Sequence, residues 1–347
     1  MDQLPRYDRS RDYGWNYENA PAVVDVPLVE IPGEWKFCGL PVDSPLGVPA
    51  GPLLNGAWCL YYASLGFDVV TYKTVRSRSR ECYDLPNLQP VRCLQLHGGE
   101  SELPAIEQME GSWAVSYGMP SKQPETWRED IRRTRDLLPA GKLLNVSVVG
   151  SVLPDWTIDD LAADYAQCAR WAVESGADTV EANFSCPNVS TCDGQLYQQP
   201  QDCQVVVKAI REAIGETPLI AKIGRIMDPG DAGLLLEATH SCLDAMAMTN
   251  SIACTVVSDE GSLLFDGERR GICGAATLDA SIGQTRMVAR IIKDRQLDLQ
   301  LIGVGGADSL DDVQAYLAAG AHSVHIATAA MVDPGLGIEI RRQWPQL

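Results

Sequence analysis

The chain has 347 residues, of which 46% are hydrophobic, and it carries a formal net charge of −18. This length can bury a large core and suits either two ordinary domains or one large α/β barrel. The acidic excess leaves no basic face for phosphates, which argues against nucleic acid or an anionic membrane surface as the main partner. Because the sequence contains neither a long apolar run nor a signal-like start, we expect a soluble protein without a membrane partner.

The chain contains eleven cysteines, an odd number, and none of them forms a C-x-x-C pair. This pattern predicts neither a disulfide framework nor a zinc or iron–sulfur site. We therefore expect reduced thiols, a cytoplasmic location and no bound metal.

Eight short β-branched runs recur along the chain, and most are followed by a helical pattern. The clearest helices are predicted over 157–176 and 309–320, which open with Thr or Ser before acidic residues and close on Gly. Eight β–α pairs in about 300 residues favour an α/β fold of the (β/α)₈ TIM-barrel type over an open sheet. The predicted strands are 46–50, 69–74, 143–149, 178–184, 219–223, 245–250, 301–306 and 323–328.

Two segments interrupt this alternation, 75–124 after the second strand and 253–276 after the sixth. Both are rich in Gly, Pro and charge, and both leave from the carboxyl ends of strands, the face on which barrels build their sites. We therefore predict one barrel domain over 36–347 with two insertions. Residues 1–35 form an N-terminal extension, which could be an arm that covers the barrel or a partner.

Polar residues collect at the carboxyl ends of the predicted strands. Lys73 and Lys222 interrupt apolar strands, where an ammonium must reach water or meet a partner. A cysteine at a strand end is more often a packing residue, so only the convergence of the whole set predicts a site. The set comprises Ala50, Gly51, Lys73, Thr74, Asn145, Asn183, Cys186, Asn188, Lys222, Asn250, Ser251, Gly305, Gly306 and Thr328.

The last two strands carry a pattern typical of phosphate binding. The stretch "GVGGADSLDDV" ends a strand with glycines before a helix, and "HIATAAM" ends the next strand before another helix. Glycine lets the backbone approach a ligand closely, and free N–H groups at such turns favour an anion. Since the loops after strands 7 and 8 are the usual phosphate site of barrels, we predict a phosphorylated ligand there.

Taken together, these motifs resemble the dihydroorotate dehydrogenase family of FMN-containing barrels, and they are most similar to its soluble class, which uses a cysteine. "NFSCPN" (183–188) matches the Asn-x-Ser-Cys-Pro-Asn motif of that class. The resemblance covers roughly residues 36–335. Further matches follow in the family's order: "PAGPL" (49–53), "YKTV" (72–75), "AKI" (221–223), "TNSI" (249–252), "RGICG" (270–274), "GVGG" (303–306) and "ATAA" (327–330).

The resemblance implies oxidation of dihydroorotate to orotate in pyrimidine biosynthesis. Cys186 would be the base that takes the C5 proton while a hydride passes from C6 to flavin N5, and Lys222 would stabilise the reduced flavin. FMN would contact Ala50, Gly51, Lys73, Thr74, Asn145, Asn183, Lys222, Ser251, Gly274, Gly305, Gly306, Ala327 and Thr328. The substrate would contact Lys73, Tyr117, Gly118, Met119, Asn183, Asn188, Asn250 and Ser251.

One position departs from the family's pattern. The family carries a substrate-binding Asn in an Asn-x-x-Gly-Leu-Pro segment, whereas "VSYGMP" (115–120) has Val115 in that place. A missing partner for a polar ligand costs about 1–3 kcal/mol. Asn87, in the same insertion, is a candidate substitute.

Three functions therefore stay open. The first is dihydroorotate oxidation, and the second is the same chemistry on another dihydropyrimidine or related cyclic amide, which Val115 favours. The third is a flavin-binding subunit of low activity, against which the retained Cys186 motif argues. The electron acceptor is open; an NAD-linked form would need a separate electron-transfer subunit, since the chain has no iron–sulfur spacing. By analogy with soluble relatives we expect a homodimer.

Overall fold

The computed structural model describes residues 4–185 and 192–344. Strands and helices alternate along most of this length. The strands are β1 (Trp35–Phe37), β2 (Leu40–Val42), β3 (Leu46–Val48), β4 (Val69–Val75), β5 (Leu88–Pro90), β6 (Glu102–Pro104), β7 (Ser112–Val115), β8 (Leu143–Val148), β9 (Thr179–Asn183), β10 (Leu219–Lys222), β11 (Ala245–Met248), β12 (Ile252–Val257), β13 (Arg270–Gly274), β14 (Gln300–Val304) and β15 (Ser323–His325). The α-helices are α1 (Tyr13–Glu18), α2 (Gly56–Ser64), α3 (Pro124–Leu137), α4 (Ile158–Glu174), α5 (Pro200–Ile214), α6 (Pro229–Thr239), α7 (Leu278–Arg295), α8 (Leu310–Ala318), α9 (Thr328–Val332) and α10 (Leu336–Gln343).

Eight parallel strands close into a barrel, which confirms the predicted fold class. Each predicted strand is present, and the barrel order β3-β4-β8-β9-β10-β11-β14-β15 follows the chain. The predicted helices are present as α4 and α8. Thr157 caps α4 in a reciprocal capping box with Asp160, and the Ser309 hydroxyl accepts the Asp312 N–H at the start of α8. These local signals were readable in the sequence because the capping residues lie within one turn of each other.

The two insertions form a single sheet. Strands β5, β6 and β7 come from the first insertion, while β12 and β13 come from the second, and they pair in the order β5-β7-β13-β12-β6. Val115 of β7 lies opposite Gly271 of β13 in this antiparallel pairing. Because the sheet joins chain segments after strands 2 and 6 of the barrel, it forms a rigid wall over the barrel's carboxyl end.

Residues 4–20, which we call the arm, pack on the same end of the barrel. The buried Asn16 side chain holds the arm's own turn by donating to the carbonyls of Asp8 and Asp12, each at 2.9 Å. The Trp58 indole of α2 donates to the Asn16 carbonyl at 2.9 Å, and the Tyr61 hydroxyl donates to the Pro5 carbonyl at 2.6 Å. The arm is therefore attached to the barrel along its length.

Candidate active site

A cavity of about 510 Å³ opens at the carboxyl end of the barrel, within the range usual for ligand pockets. Its walls come from the strand ends, from the sheet built by the insertions, and from α9 and α10. Most of the described residues predicted from the sequence line it. They are Ala50, Gly51, Lys73, Thr74, Tyr117, Met119, Asn183, Lys222, Asn250, Ser251, Gly274, Gly305, Gly306, Ala327 and Thr328.

Four predicted residues are not among the cavity's lining residues. Cys186 and Asn188 lie outside the described residues, so their roles stay predictions. Asn145 is fully buried deeper in the barrel, where its amide donates to Thr71 Oγ1 at 3.2 Å and accepts from Thr179 Oγ1 at 2.8 Å. Its contact with a cofactor stays a prediction.

Gly118, the fourth, shapes the loop after β7 and is not among the residues that line the cavity. Its φ is +70°, and an added Cβ would lie 2.7 Å from the Tyr83 ring. Glycine is therefore required here by both the backbone and the packing. Asn87, the candidate substitute for the missing family asparagine, is also buried, and its amide donates to the Tyr83 and Ser116 carbonyls. It supports the loop and is not among the residues that line the cavity.

The floor of the cavity carries a buried charge pair that the sequence analysis missed. Lys222 Nζ lies 3.2 Å from Glu181 Oε1, and the two side chains are 3% and 1% exposed. A buried ammonium is costly unless an opposite charge accompanies it. Glu181, inside the apolar run "DTVEANF", was the sequence signal for this ion pair, because an acidic residue in a buried strand needs a cationic partner.

His325 lies fully buried beside this pair. Its ring stacks on Phe37 at a centroid distance of 5.5 Å, and neither ring nitrogen has a hydrogen-bond partner among the described residues. Burial, with a smaller contribution from the charge of Lys222, lowers the pKa of His325 to about 3. The imidazole is therefore neutral, and Lys222 is the cation at this point of the barrel.

The glycine turn at the other end of the cavity suits an anion. Gly305 and Gly306 have φ values of +125° and +80°, and a Cβ added to Gly305 would lie 2.4 Å from Ser281 Oγ. Only glycine fits this tightly packed turn, and both glycines line the cavity. The buried Thr328 hydroxyl lies on the same wall and has no hydrogen-bond partner among the described residues. A phosphate would satisfy it.

Two asparagines that line the cavity, Asn183 and Asn250, both form hydrogen bonds with Ser185. Asn183 accepts from the Ser185 N–H at 3.1 Å and directs its Nδ2 towards Thr74 Oγ1 at 3.4 Å. Asn250 donates to the Ser185 carbonyl at 2.6 Å. Both amides therefore hold the segment that leads directly to Cys186.

The insertion sheet supplies lining residues that sequence reasoning did not single out. Leu88, Trp113 and Cys273 line the cavity from β5, β7 and β13, beside Val115, which the sequence had already indicated. Cys273 belongs to the quoted motif "RGICG". Its orientation follows from its pairing with Trp113 of β7, and a sequence pattern does not show that pairing. The Cys273 thiol lies 3.7 Å from the Asn250 carbonyl.

A closed barrel of eight parallel strands with a cavity at its carboxyl end defines a (β/α)₈ TIM barrel, the class in which sites are built at that end. The family model described as dihydroorotate dehydrogenase matches residues 34–346. A dihydroorotate dehydrogenase of Dictyostelium discoideum is 29% identical over 361 residues, covering 96% of each chain. The chain belongs to the dihydroorotate dehydrogenase family and is an oxidoreductase acting on a CH–CH bond.

Two further comparisons support less, because one covers only about half of each chain and the other has low sequence identity. The catalytic subunit of a dihydroorotate dehydrogenase B (NAD(+)) from Thermoanaerobacter sp. is 27% identical over 179 residues, which is 51% of this chain and 57% of the relative. A crystal structure of DHODH from Eimeria tenella in complex with ferulenol superposes with a TM-score of 0.74 at 15% identity, covering 99% of this chain and 92% of that chain. The second comparison supports the fold alone.

Within residues 4–185 and 192–344, no helix is long and apolar enough to cross a membrane. No group of three or more metal-ligating side chains was found in them. Nine cysteines, those whose side chains the structure describes, are free thiols.

The depressed pKa of His325 predicts a specific loss of stability in acid. Below pH 6.5 the unfolded chain takes up a proton at this residue, whereas the folded protein does not until about pH 3. The stabilising contribution is therefore complete above pH 6.5 and declines as the pH falls, by about 2 kcal/mol between pH 7 and pH 5. In urea titrations, the free energy of unfolding should therefore fall between pH 7 and pH 5 by about 2 kcal/mol less in His325→Gln than in the wild type.

The matched control is His97→Gln, which replaces an exposed histidine and should keep the wild-type pH dependence. An unchanged pH dependence in His325→Gln would contradict the assignment of a neutral buried imidazole.

Proposed function

We propose that the chain oxidises dihydroorotate to orotate in pyrimidine biosynthesis, with FMN as its cofactor and Cys186 as its base. The observation that carries this proposal is one cavity with lysines and asparagines at its centre and a glycine turn at one end. Membership of the family supports the same chemistry. Free thiols in the described ranges fit a cytoplasmic enzyme.

The residues present fit FMN. The unpartnered Thr328 hydroxyl and the cavity-lining turn of Gly305 and Gly306 suit its phosphate. The Lys222 ammonium would lie where negative charge develops on a reduced ring, and Glu181 holds that ammonium in place. When bound, FMN supplies the acceptor for the two electrons removed from the substrate.

The chain's own groups bind and orient the substrate. An amide presents a donor and an acceptor in one plane, which matches the alternating N–H and C=O groups of a dihydropyrimidine. Asn183 and Asn250 occupy suitable positions on the cavity wall. Their hydrogen bonds to Ser185 also hold the residue that precedes Cys186 in the sequence. Cys186, as a thiolate, would remove the C5 proton.

A second candidate function is oxidation of another dihydropyrimidine or related cyclic amide. The isopropyl group of Val115 faces the cavity where the family has an amide. An apolar group there favours a ring with less polar substitution. A homodimer and a separate electron-transfer subunit remain predictions.

The role of Cys186 predicts a slow variant with an intact fold. Cys186→Ala should retain FMN but reduce it with dihydroorotate about 10²- to 10⁴-fold more slowly, the usual contribution of a general base. Cys186→Ser should also be slow at neutral pH and should recover partly at higher pH. Anaerobic stopped-flow absorbance of the flavin measures both rates.

Cys242→Ala is the control, since Cys242 lies outside the cavity in a turn after α6. Wild-type rates in Cys186→Ala would show that another group takes the proton, and Cys192 would then be tested first.

Val115 distinguishes the two candidate substrates. If dihydroorotate is the substrate, Val115→Asn should leave orotate binding unchanged or strengthen it by about 5- to 150-fold, since one added partner is worth about 1–3 kcal/mol. If the ring is less polar, the variant should gain an orotate affinity that the wild type lacks. Titrations that follow the flavin absorbance measure both. Tight wild-type binding that weakens in Val115→Asn would contradict the placement of this residue beside the substrate.

A further inference from the structure

The arm brings two tyrosines towards a lysine of the cavity wall. Lys73 Nζ lies 4.5 Å from the centroid of the Tyr117 ring and 5.9 Å from that of Tyr13, and Lys73 is 6% exposed. Tyr13 contacts Tyr117 edge-on at 6.2 Å, and Tyr7 does so at 6.1 Å. Tyr7, Tyr13 and Tyr117, which we call the tyrosine cluster, are all buried.

We propose that Tyr13 and Tyr7 of the arm are positioning residues, which hold the Lys73 ammonium in the cavity through the tyrosine cluster. These two tyrosines of the arm would thereby contribute to substrate binding. This inference rests on the proposed function, because Lys73 matters to catalysis only if the cavity binds the flavin and its substrate.

Cation–π attraction explains why tyrosines suit this place. An ammonium is drawn to the face of an aromatic ring, and the attraction is larger when both groups are shielded from water. Edge-to-face packing of Tyr7 and Tyr13 against Tyr117 then fixes the ring that lies closest to Lys73. Lys73 Nζ also donates to the Gly51 carbonyl at 3.4 Å on the other side, so the ammonium lies between the rings and the strand end.

The three phenols keep their rings neutral. Burial raises the pKa of Tyr7, Tyr13 and Tyr117 above that of an ordinary tyrosine. A phenolate would form an ion pair with Lys73 and draw it out of the cavity. Neutral rings hold the ammonium without cancelling its charge, which leaves that charge available to an anionic ligand.

The arm also touches the cavity's other walls. The Arg6 guanidinium donates to the carbonyl of Val332, a lining residue, at 3.1 Å. The Arg9 guanidinium donates to the Glu107 carbonyl in the first insertion. The arm therefore contacts both a cavity-lining residue and the first insertion. We expect such contacts to separate parts of the site from a segment that helps to set the shape of the cavity.

The test compares Tyr13→Leu, which removes the ring, with Tyr13→Phe, which keeps it. Orotate titrations of the FMN-loaded proteins should give about tenfold weaker binding for Tyr13→Leu and binding within about twofold of wild type for Tyr13→Phe. Trp15→Leu is the control, since Trp15 is on the same arm but 40% exposed. It should bind orotate as the wild type does.

A second readout does not depend on orotate. Lys73 should react with an amine-acylating reagent about tenfold faster in Tyr13→Leu than in the wild type, as measured by peptide mass spectrometry, and Tyr13→Phe should not differ. If Tyr13→Leu fails to fold, Tyr7→Leu takes its place, because Tyr7 packs edge-on against Tyr117, the ring that lies 4.5 Å from Lys73 Nζ.

The outcomes separate this inference from the proposed function. Wild-type protein that binds no orotate defeats the proposed function, while the acylation rates still test the cluster. Wild-type protein that binds orotate, together with Tyr13→Leu that matches it in both readouts, overturns the inference. Equal losses in Tyr13→Leu, Tyr13→Phe and Trp15→Leu would also overturn it, because they would indicate general disruption of the arm.

Discussion

The ion pair of Lys222 with Glu181 lies inside the barrel, where neither charge reaches water. Desolvating two charges costs free energy that their attraction offsets only when the geometry is good. The pair therefore fixes the Lys222 ammonium at the floor of the cavity, and the nearby charge of Lys222 adds to burial in lowering the pKa of His325. An ammonium held at this point favours a ligand that becomes negatively charged during the reaction, as a reduced flavin does.

The other sides of the cavity come from different parts of the chain. The glycine turn and Thr328 form the end that suits a phosphate, the paired insertions form the roof, and the arm supports Lys73 from the side. Each wall is anchored outside the cavity by hydrogen bonds or strand pairing. A site whose groups must be held within fractions of an ångström needs such support, and loops alone would not provide it.

The barrel was predictable because its signals are local. Strand runs, helix caps and glycine turns each lie within a few residues of sequence, and α4 and α8 begin at the capping residues that the sequence indicated. The contacts between distant segments were not predictable. Pairing of Val115 with Gly271 joins two insertions far apart in the chain, and the approach of Tyr13 to Lys73 depends on the path of the arm. Asn145 lies on the predicted strand, but its depth in the barrel, where it bonds to Thr71 and Thr179, was not readable from the sequence.

The central claim is that this cavity uses FMN to oxidise dihydroorotate. The most direct measurement is an anaerobic titration of the FMN-loaded protein with dihydroorotate, following the flavin absorbance and the orotate released. The account predicts bleaching of the flavin with one orotate formed for each flavin reduced. A flavin that stays oxidised in excess dihydroorotate, or a protein that binds no FMN, would contradict it.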